Sequence, residues 1–225
     1  MDLQPNVNEN VDTGTLRIHL TKRSNGIPVQ GAKILVSYTG NPSQTIEEVS
    51  SDDSGNTETL TLNAPPLEYS MEPSEQQPYS EYTIQVTAPG YRDITVSAID
   101  ILPGEAAIQN VVMESEDSPG NPIDTIVIPA HTLYGDYPPK IPEDEIKAMD
   151  ESGEIVLSRV VIPEYVVVHD GAPSDSTAAN YYVRYRDYIK NVASSEIYAT
   201  WPDATIRANV LAIMSFTLNR VYTEW

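Results

Sequence analysis

Leu16-Arg-Ile-His-Leu20, Ser24-Asn-Gly-Ile-Pro-Val-Gln-Gly31 and Ala32-Lys-Ile-Leu-Val-Ser-Tyr38 decide the fold of the first half of this chain. The outer runs largely alternate apolar and polar side chains, which turns one face of a strand toward a core. The middle run carries Gly26, Pro28 and Gly31, residue types that end strands and open turns. Working outward, further strands are predicted at Ser43–Val49, Glu58–Leu62, Tyr82–Ala88, Asp93–Ile101 and Ala107–Met113. Asp52-Asp-Ser-Gly55-Asn, Pro65-Pro66, Pro89-Gly90 and Pro103-Gly104 separate them. Short strands punctuated in this way predict an antiparallel β-sandwich over residues 15–113, after a polar, disordered N-terminus at 1–14.

Beyond Met113 the character changes. Glu114–Asp124 is acidic, bears Pro, Gly and Ser, and lacks apolar periodicity, and Thr125–Pro142 mixes short apolar runs with prolines. Residues 114–153 therefore read as an acidic, Pro-rich linker or a docked extended segment. Glu154–His169 holds two β-rich runs, Ile155–Ile162 and Tyr165–His169, which can pair across Pro163.

A helix is expected from Ser174 or Asp175 to Ser195, with Tyr185, Ile189 and Val192 as its inward stripe. A second helix follows Pro202, with Ile206, Val210, Ile213, Met214, Leu218, Val221 and Tyr222 at helical spacing. Glu196–Trp201 is the elbow of this hairpin. The expected fold class is thus α+β: an N-terminal antiparallel sandwich, a linker, and a partial α+β domain over 154–225.

Charge limits the function classes. The 225 residues contain 33 acidic and 13 basic side chains, a net charge of −20. Nucleic acid and anionic membrane surfaces select for the opposite sign. There is no cysteine, which removes disulfides, thiolate chemistry and Cys-based metal sites. No apolar run approaches the length of a membrane span, and Met1–Gly14 has no apolar core of a secretory signal.

Glu196 is the leading candidate for chemistry. It ends a helix face that should turn inward, where a carboxylate either finds a hydrogen-bonding partner or is desolvated toward the acid form. Tyr198 and Trp201, as aromatics of the same elbow, read as core by position. His19, His131 and His169 are scattered without paired spacing, so no metal site is expected, and His169 reads as structural. No phosphate loop or nucleophile elbow occurs.

Resemblances then sharpen the reading. Gly26–Ala32, Asp53-Ser-Gly55 and Tyr82–Tyr91 resemble the carboxypeptidase-regulatory-like (transthyretin-like) sandwich and its relatives in Gram-positive surface proteins. Those surface domains often carry a Lys–Asn isopeptide bond catalysed by a buried acid. The resemblance puts Lys22 and Asn110 on donor and acceptor strands, but Val86 stands where the catalytic Glu falls, so no cross-link is expected.

Tyr188-Ile-Lys-Asn-Val-Ala-Ser-Ser-Glu196-Ile-Tyr-Ala-Thr-Trp-Pro202, with an Ala-bearing helix behind it, resembles the core motif of the stage II sporulation protein D family. That family comprises lytic transglycosylases that cut peptidoglycan glycan with this Glu as acid and base. The order of sandwich, Ile128–Glu143, Pro163–Gly171 and Glu motif is similar to that of clostridial germination-specific spore-cortex-lytic enzymes.

The resemblance implies a spore-associated or cell-wall-associated proenzyme, catalytic through Glu196, with Tyr198 and Trp201 binding substrate. Peptidoglycan glycan strands and an activating protease are its implied partners, and no cofactor is implied. The family's domain continues past the second helix, so residues 154–225 are expected to form only its N-terminal part. The alternative is a non-catalytic wall-associated structural or binding protein, of spore, phage or secretion apparatus, that reuses the same modules.

Overall fold

The computed structural model describes residues 11–72, 76–119, 123–131, 133, 161–172 and 175–221. The chain divides into two compact units, Met1–His131 and Thr132–Trp225.

The first unit is a β-sandwich. Its smaller sheet has β4 (Leu60–Ala64), β1 (Asp12–Lys22) and β7 (Ala106–Met113) in that order. The larger sheet runs β3 (Thr45–Ser50), β2 (Lys33–Tyr38), β5 (Ser80–Thr87), β6 (Ile94–Ile101) and β8 (Thr125–Val127). A short helix, α1 (Glu68–Met71), lies between β4 and β5. Period-two alternation is what joins the sheets. Leu16, Ile18 and Leu20 of β1 face Ile34 and Val36 of β2, Ile84 and Val86 of β5, and Val96 and Ile101 of β6 in one cluster, all sealed from water. Each such side chain contributes about 1.5–3 kcal/mol by its burial.

Several expectations change here. The sandwich is not wholly antiparallel, because β7 pairs parallel to β1 and β8 parallel to β6. The strand β1 starts at Asp12, inside the stretch expected to be disordered, since Asp12–Leu16 pair with β4. Residues 1–10 of that stretch lie outside the described residues. The unit also runs on past Met113. Tyr91 bridges Ser115, Arg92 Nη2 donates to the carbonyls of Glu116 and Ser118, and Thr125–Val127 add a strand beside β6. The Tyr79 hydroxyl then donates to His131 O and accepts from His131 N. Extended chain satisfies its backbone groups by pairing, so of the two expectations, linker and docked extended segment, Thr125–Val127 follow the second. The remainder of the expected linker, 134–153, lies outside the described residues.

A bulge in β6 places an unusual carboxylate. Tyr82 pairs with Ile99 and Ile84 with Val96, so Thr83 alone faces Ser97 and Ala98. Ala98 takes the left-handed conformation, φ 61°, and its N–H donates to Thr39 Oγ1. The extra residue resets the alternation: Ile99 and Ile101 enter the core, and Asp100 turns outward opposite Glu81.

Burial first, and the Glu81 charge second, push the Asp100 carboxyl up from 3.8 to about 7. The unfolded chain therefore releases this proton before the folded one does. Stability is fully present near pH 4 and falls as pH rises toward 7. Asp100→Asn is accordingly expected to match the parent in urea unfolding near pH 4 and to exceed it at pH 8. Equal midpoints at both pH values would refute this assignment.

The second unit holds a hairpin, β9 (Tyr165–His169) with β10 (Asn180–Arg184), then α2 (Tyr185–Ser194) and α3 (Asp203–Asn219). The helix expected from Ser174 or Asp175 is therefore shorter. Asn180-Tyr-Tyr-Val-Arg184 is a strand, paired residue for residue with β9, because β-branched and aromatic side chains suit that pairing. Asp175 caps no helix; it accepts from Thr177 N and Oγ1, bonds that hold its carboxyl below the usual range. Ser174 and Ile155–Val160 lie outside the described residues, and β9 takes β10 as its described partner. Val166, Tyr185, Ile189 and Ile213 form the core, with Val192, Val210, Met214 and Leu218 packed against it. Most of the apolar stripe expected of each helix thus joins this shared cluster, Ile206 excepted, while Tyr222 lies outside the described residues and Leu211 and Phe216 of α3 stay exposed.

Candidate functional site

The elbow joining α2 to α3 is built by local bonds. Ser195 N donates to Asn191 O and Val192 O, and the N–H groups of Glu196 and Ile197 both reach Ala193 O. These bonds close the last turn of α2 and hand the chain outward. Pro202 then precedes α3, with Asp203 favourably placed in its first turn against the helix dipole. Ile197 and Tyr198 point inward, 8% and 3% exposed, and pin the elbow to the unit.

Glu196 itself is exposed rather than turned inward. Of the two outcomes open to a carboxylate there, a hydrogen-bonding partner is the one found: Asn209 Nδ2 donates to Glu196 Oε2 at 2.9 Å. This bond ties the elbow to α3 across 13 residues of sequence. The other Asn209 amide atom, Oδ1, is shielded from water and has no partner among the described residues. The carboxylate is therefore held in one orientation while its second oxygen remains open to solvent or to a ligand.

The two elbow aromatics differ. Tyr198 packs in the interior, and its hydroxyl accepts from Leu133 N at 3.2 Å. Trp201 is half-buried, with its backbone N–H donating to Tyr198 O. Of the pair, Trp201 is the ring that presents surface beside Glu196 in sequence. His169 ends β9, where Nδ1 meets Asn180 Oδ1 at 2.9 Å and Nε2 meets Ala172 O at 3.0 Å. The Asn180 bond, more than the Ala172 carbonyl and Asp175, raises its pKa. The histidine is thus a structural one. His19 likewise bonds Asn56 within the sandwich.

A groove of about 660 Å³ runs along α2 and α3. Ile189, Ala193, Val210 and Met214 floor it, together with Ile162, Pro163 and Tyr185, and it carries Glu164, Arg184, Arg186 and Lys190. Ala193 stands one turn before Glu196, and Val210 follows Asn209. One end of the groove is thus a turn away from the elbow, while neither Glu196 nor Asn209 lines it. Neither Asn209 nor the three cations stood out in sequence, because polar residues on a helix flank are ordinarily solvated faces.

In the sandwich, Lys22 and Asn110 do not meet. Lys22 stands in register with Met113 and Asn110 with His19, while Val86 is wholly buried. The Lys22 ammonium lies 5.8 Å from the centre of the Tyr91 ring. It forms part of a second cavity of about 670 Å³, where Arg23 pairs with Glu114.

No family model matches this chain, and no curated protein matches it. Among solved structures it is similar to the Bacillus anthracis TIE protein, at 19% identity and TM-score 0.32, over 46% of this chain and 17% of that one. It is also similar to the Streptococcus agalactiae minor pilin GBS52, at 15% identity and TM-score 0.33, over 50% and 48%. A third is Klebsiella pneumoniae 5-hydroxyisourate hydrolase, at 15% identity and TM-score 0.29, over 45% and 90%. The chain thus spans less than half the length of the first two. Similarities at this level leave the sandwich to rest on its own strand pairing and core. Among the described residues, no helix is long and apolar enough to cross a membrane, and no cluster of His, Asp and Glu could hold a metal ion.

Proposed function

We propose that this chain is the precursor of a spore-cortex lytic transglycosylase. In this reading the sandwich, of the carboxypeptidase-regulatory-like type, is a pro-region removed by an activating protease, and residues 154–225 form the N-terminal part of an α+β catalytic domain. The observation that carries the reading is the Glu196 carboxylate, solvent-facing, bonded by Asn209 and one turn beyond the groove-lining Ala193. That arrangement suits a group that must meet a polymer from outside.

The chemistry needs one carboxyl group. Protonated Glu196 gives its proton to the oxygen linking muramyl C1 to the next sugar, and the C1–O bond breaks. The resulting carboxylate takes the proton of the muramyl 6-hydroxyl as that oxygen bonds to C1 and closes a 1,6-anhydro ring. Glu196 ends protonated, ready for the next cut. A hydrolase of the usual kind employs two carboxylates and leaves a reducing end. In this reading Trp201 stacks on a sugar face beside the cut.

Protein freed of its pro-region by an activating protease and incubated with cortex sacculi is expected to release muropeptides ending in 1,6-anhydro-muramyl groups, identified by mass spectrometry. Binding to sacculi with no soluble product at any protein concentration overturns this reading in favour of a non-catalytic wall-associated protein. Reducing ends in place of anhydro ends overturn the one-carboxylate chemistry.

A further inference from the structure

We propose that the groove along α2 and α3 is a subsite for the acidic peptide branches of the wall polymer, with Arg184, Arg186 and Lys190 as its carboxylate-binding groups. The proposal rests on the glycan-cleaving reading of Glu196 and names what else of the substrate the same unit holds.

Charge is the first argument. In a chain with 33 acidic against 13 basic side chains, three cations around one groove stand out. Lys190 has no carboxylate within 4.0 Å among the described residues. The Arg184 guanidinium lies 6.0 Å from the centre of the Tyr165 ring instead of on an acid. Arg186 reaches Asp187 at 3.6 Å with both side chains largely exposed, a contact of small worth. Among the described residues, Glu164 is the one carboxylate that lines this groove, against three cations. The described lining thus carries net positive charge in a chain that is net negative.

Geometry is the second. Arg186 and Lys190 are four residues apart on α2 and share a face, while Arg184 ends the strand that feeds the helix. Between and beneath them the floor of Ile189, Ala193, Val210 and Met214 accepts methyl and methylene groups but no charge. An uncharged glycan uses none of these cations. The peptide carried by each muramyl lactyl group offers alanyl methyls and free carboxylates together, the combination that this floor and these cations fit. Ala193 precedes Glu196 by one helical turn, about 5 Å of rise. A glycan seated at the elbow therefore leaves its peptide branch beside the groove.

The whole chain carrying Glu196→Gln, which cleaves nothing in this reading, is titrated calorimetrically with N-acetyl-L-Ala-γ-D-Glu as free acid and as its diamide. At low salt the free acid is expected to bind roughly tenfold tighter than the diamide, with the difference shrinking at high salt. Combined Arg184→Gln, Arg186→Gln and Lys190→Gln, all at exposed positions, should erase that preference while circular dichroism stays unchanged. Equal binding of acid and diamide, or an acid preference that survives the triple variant, overturns the subsite. The two proposals fail separately. Wall cleavage that persists in Glu196→Gln sinks the catalytic reading and leaves the titration to judge the groove. Lost cleavage without acid preference sinks the groove alone.

Discussion

Glu196→Gln is expected to lower release of anhydro-ended muropeptides from cortex sacculi by about a thousandfold or more. General acid–base catalysis by a placed side chain contributes roughly 10²–10⁴-fold. Here one group serves as acid in bond breaking and as base in ring closure, so both contributions are lost together. The substitution leaves the fold alone for a specific reason. Glu196 is exposed, and the glutamine carbonyl oxygen can still accept from Asn209 Nδ2 as the carboxylate does. Unfolding midpoints of parent and variant should therefore coincide, which separates lost chemistry from lost structure. Asn209→Ala removes the orienting bond but retains the proton-transferring group, so its activity should fall by about tenfold, far less than that of Glu196→Gln. Residual Glu196→Gln activity within about tenfold of the parent means that another group moves the proton.

The particular residues show why some of this was legible in sequence. The strands at Leu16–Leu20, Tyr82–Ala88 and Asp93–Ile101 emerged because alternation and Gly/Pro punctuation are local signals, and all three supply residues to the observed core. The parallel pairing of β1 with β7 left no such trace, since its partners are about ninety residues apart and either direction satisfies the same alternation. The bulge at Ala98 was equally silent, because alanine gives no hint of a left-handed backbone. Asn180–Arg184 was misread as helix for a physical reason. Tyr181, Tyr182, Tyr185, Tyr188 and Ile189 recur at three and four residues, but strand and helix periods cannot be separated over so short an aromatic run. At the candidate site, Glu196 was visible through its motif and its place in the elbow. Its outward pose and its bond to Asn209 depend on how the last turn of α2 closes, which no local pattern encodes.

Gly55→Ala is expected to destabilise the sandwich by about 3 kcal/mol, read as a lower urea midpoint at unchanged slope. Two costs combine there. Gly55 has φ +74°, a conformation that costs an L-residue about 1–2 kcal/mol. An added Cβ would also collide with the Leu20 carbonyl oxygen and come within 3.1 Å of Pro28 Cβ. That oxygen cannot swing aside. Leu20 O accepts from Val29 N, Leu20 N donates to Gly55 O, and both bonds lace β1 to its neighbouring turns. The turn on the other side is equally fixed, with Gly55 N on Asp52 O and the N–H groups of Ser54 and Asn56 on the Asp52 carboxylate. Gly31→Ala isolates the first cost, since Gly31 has φ +72° but nothing within 4 Å of a new Cβ. It should lose only about 1 kcal/mol, because part of the strain is offset by the lower entropy of the unfolded alanine chain. The gap between the two variants therefore measures the backbone contact by itself. If they lose equal stability, the close approach of the 52–56 turn to β1 is wrong, and with it the account of how this corner of the sandwich is closed.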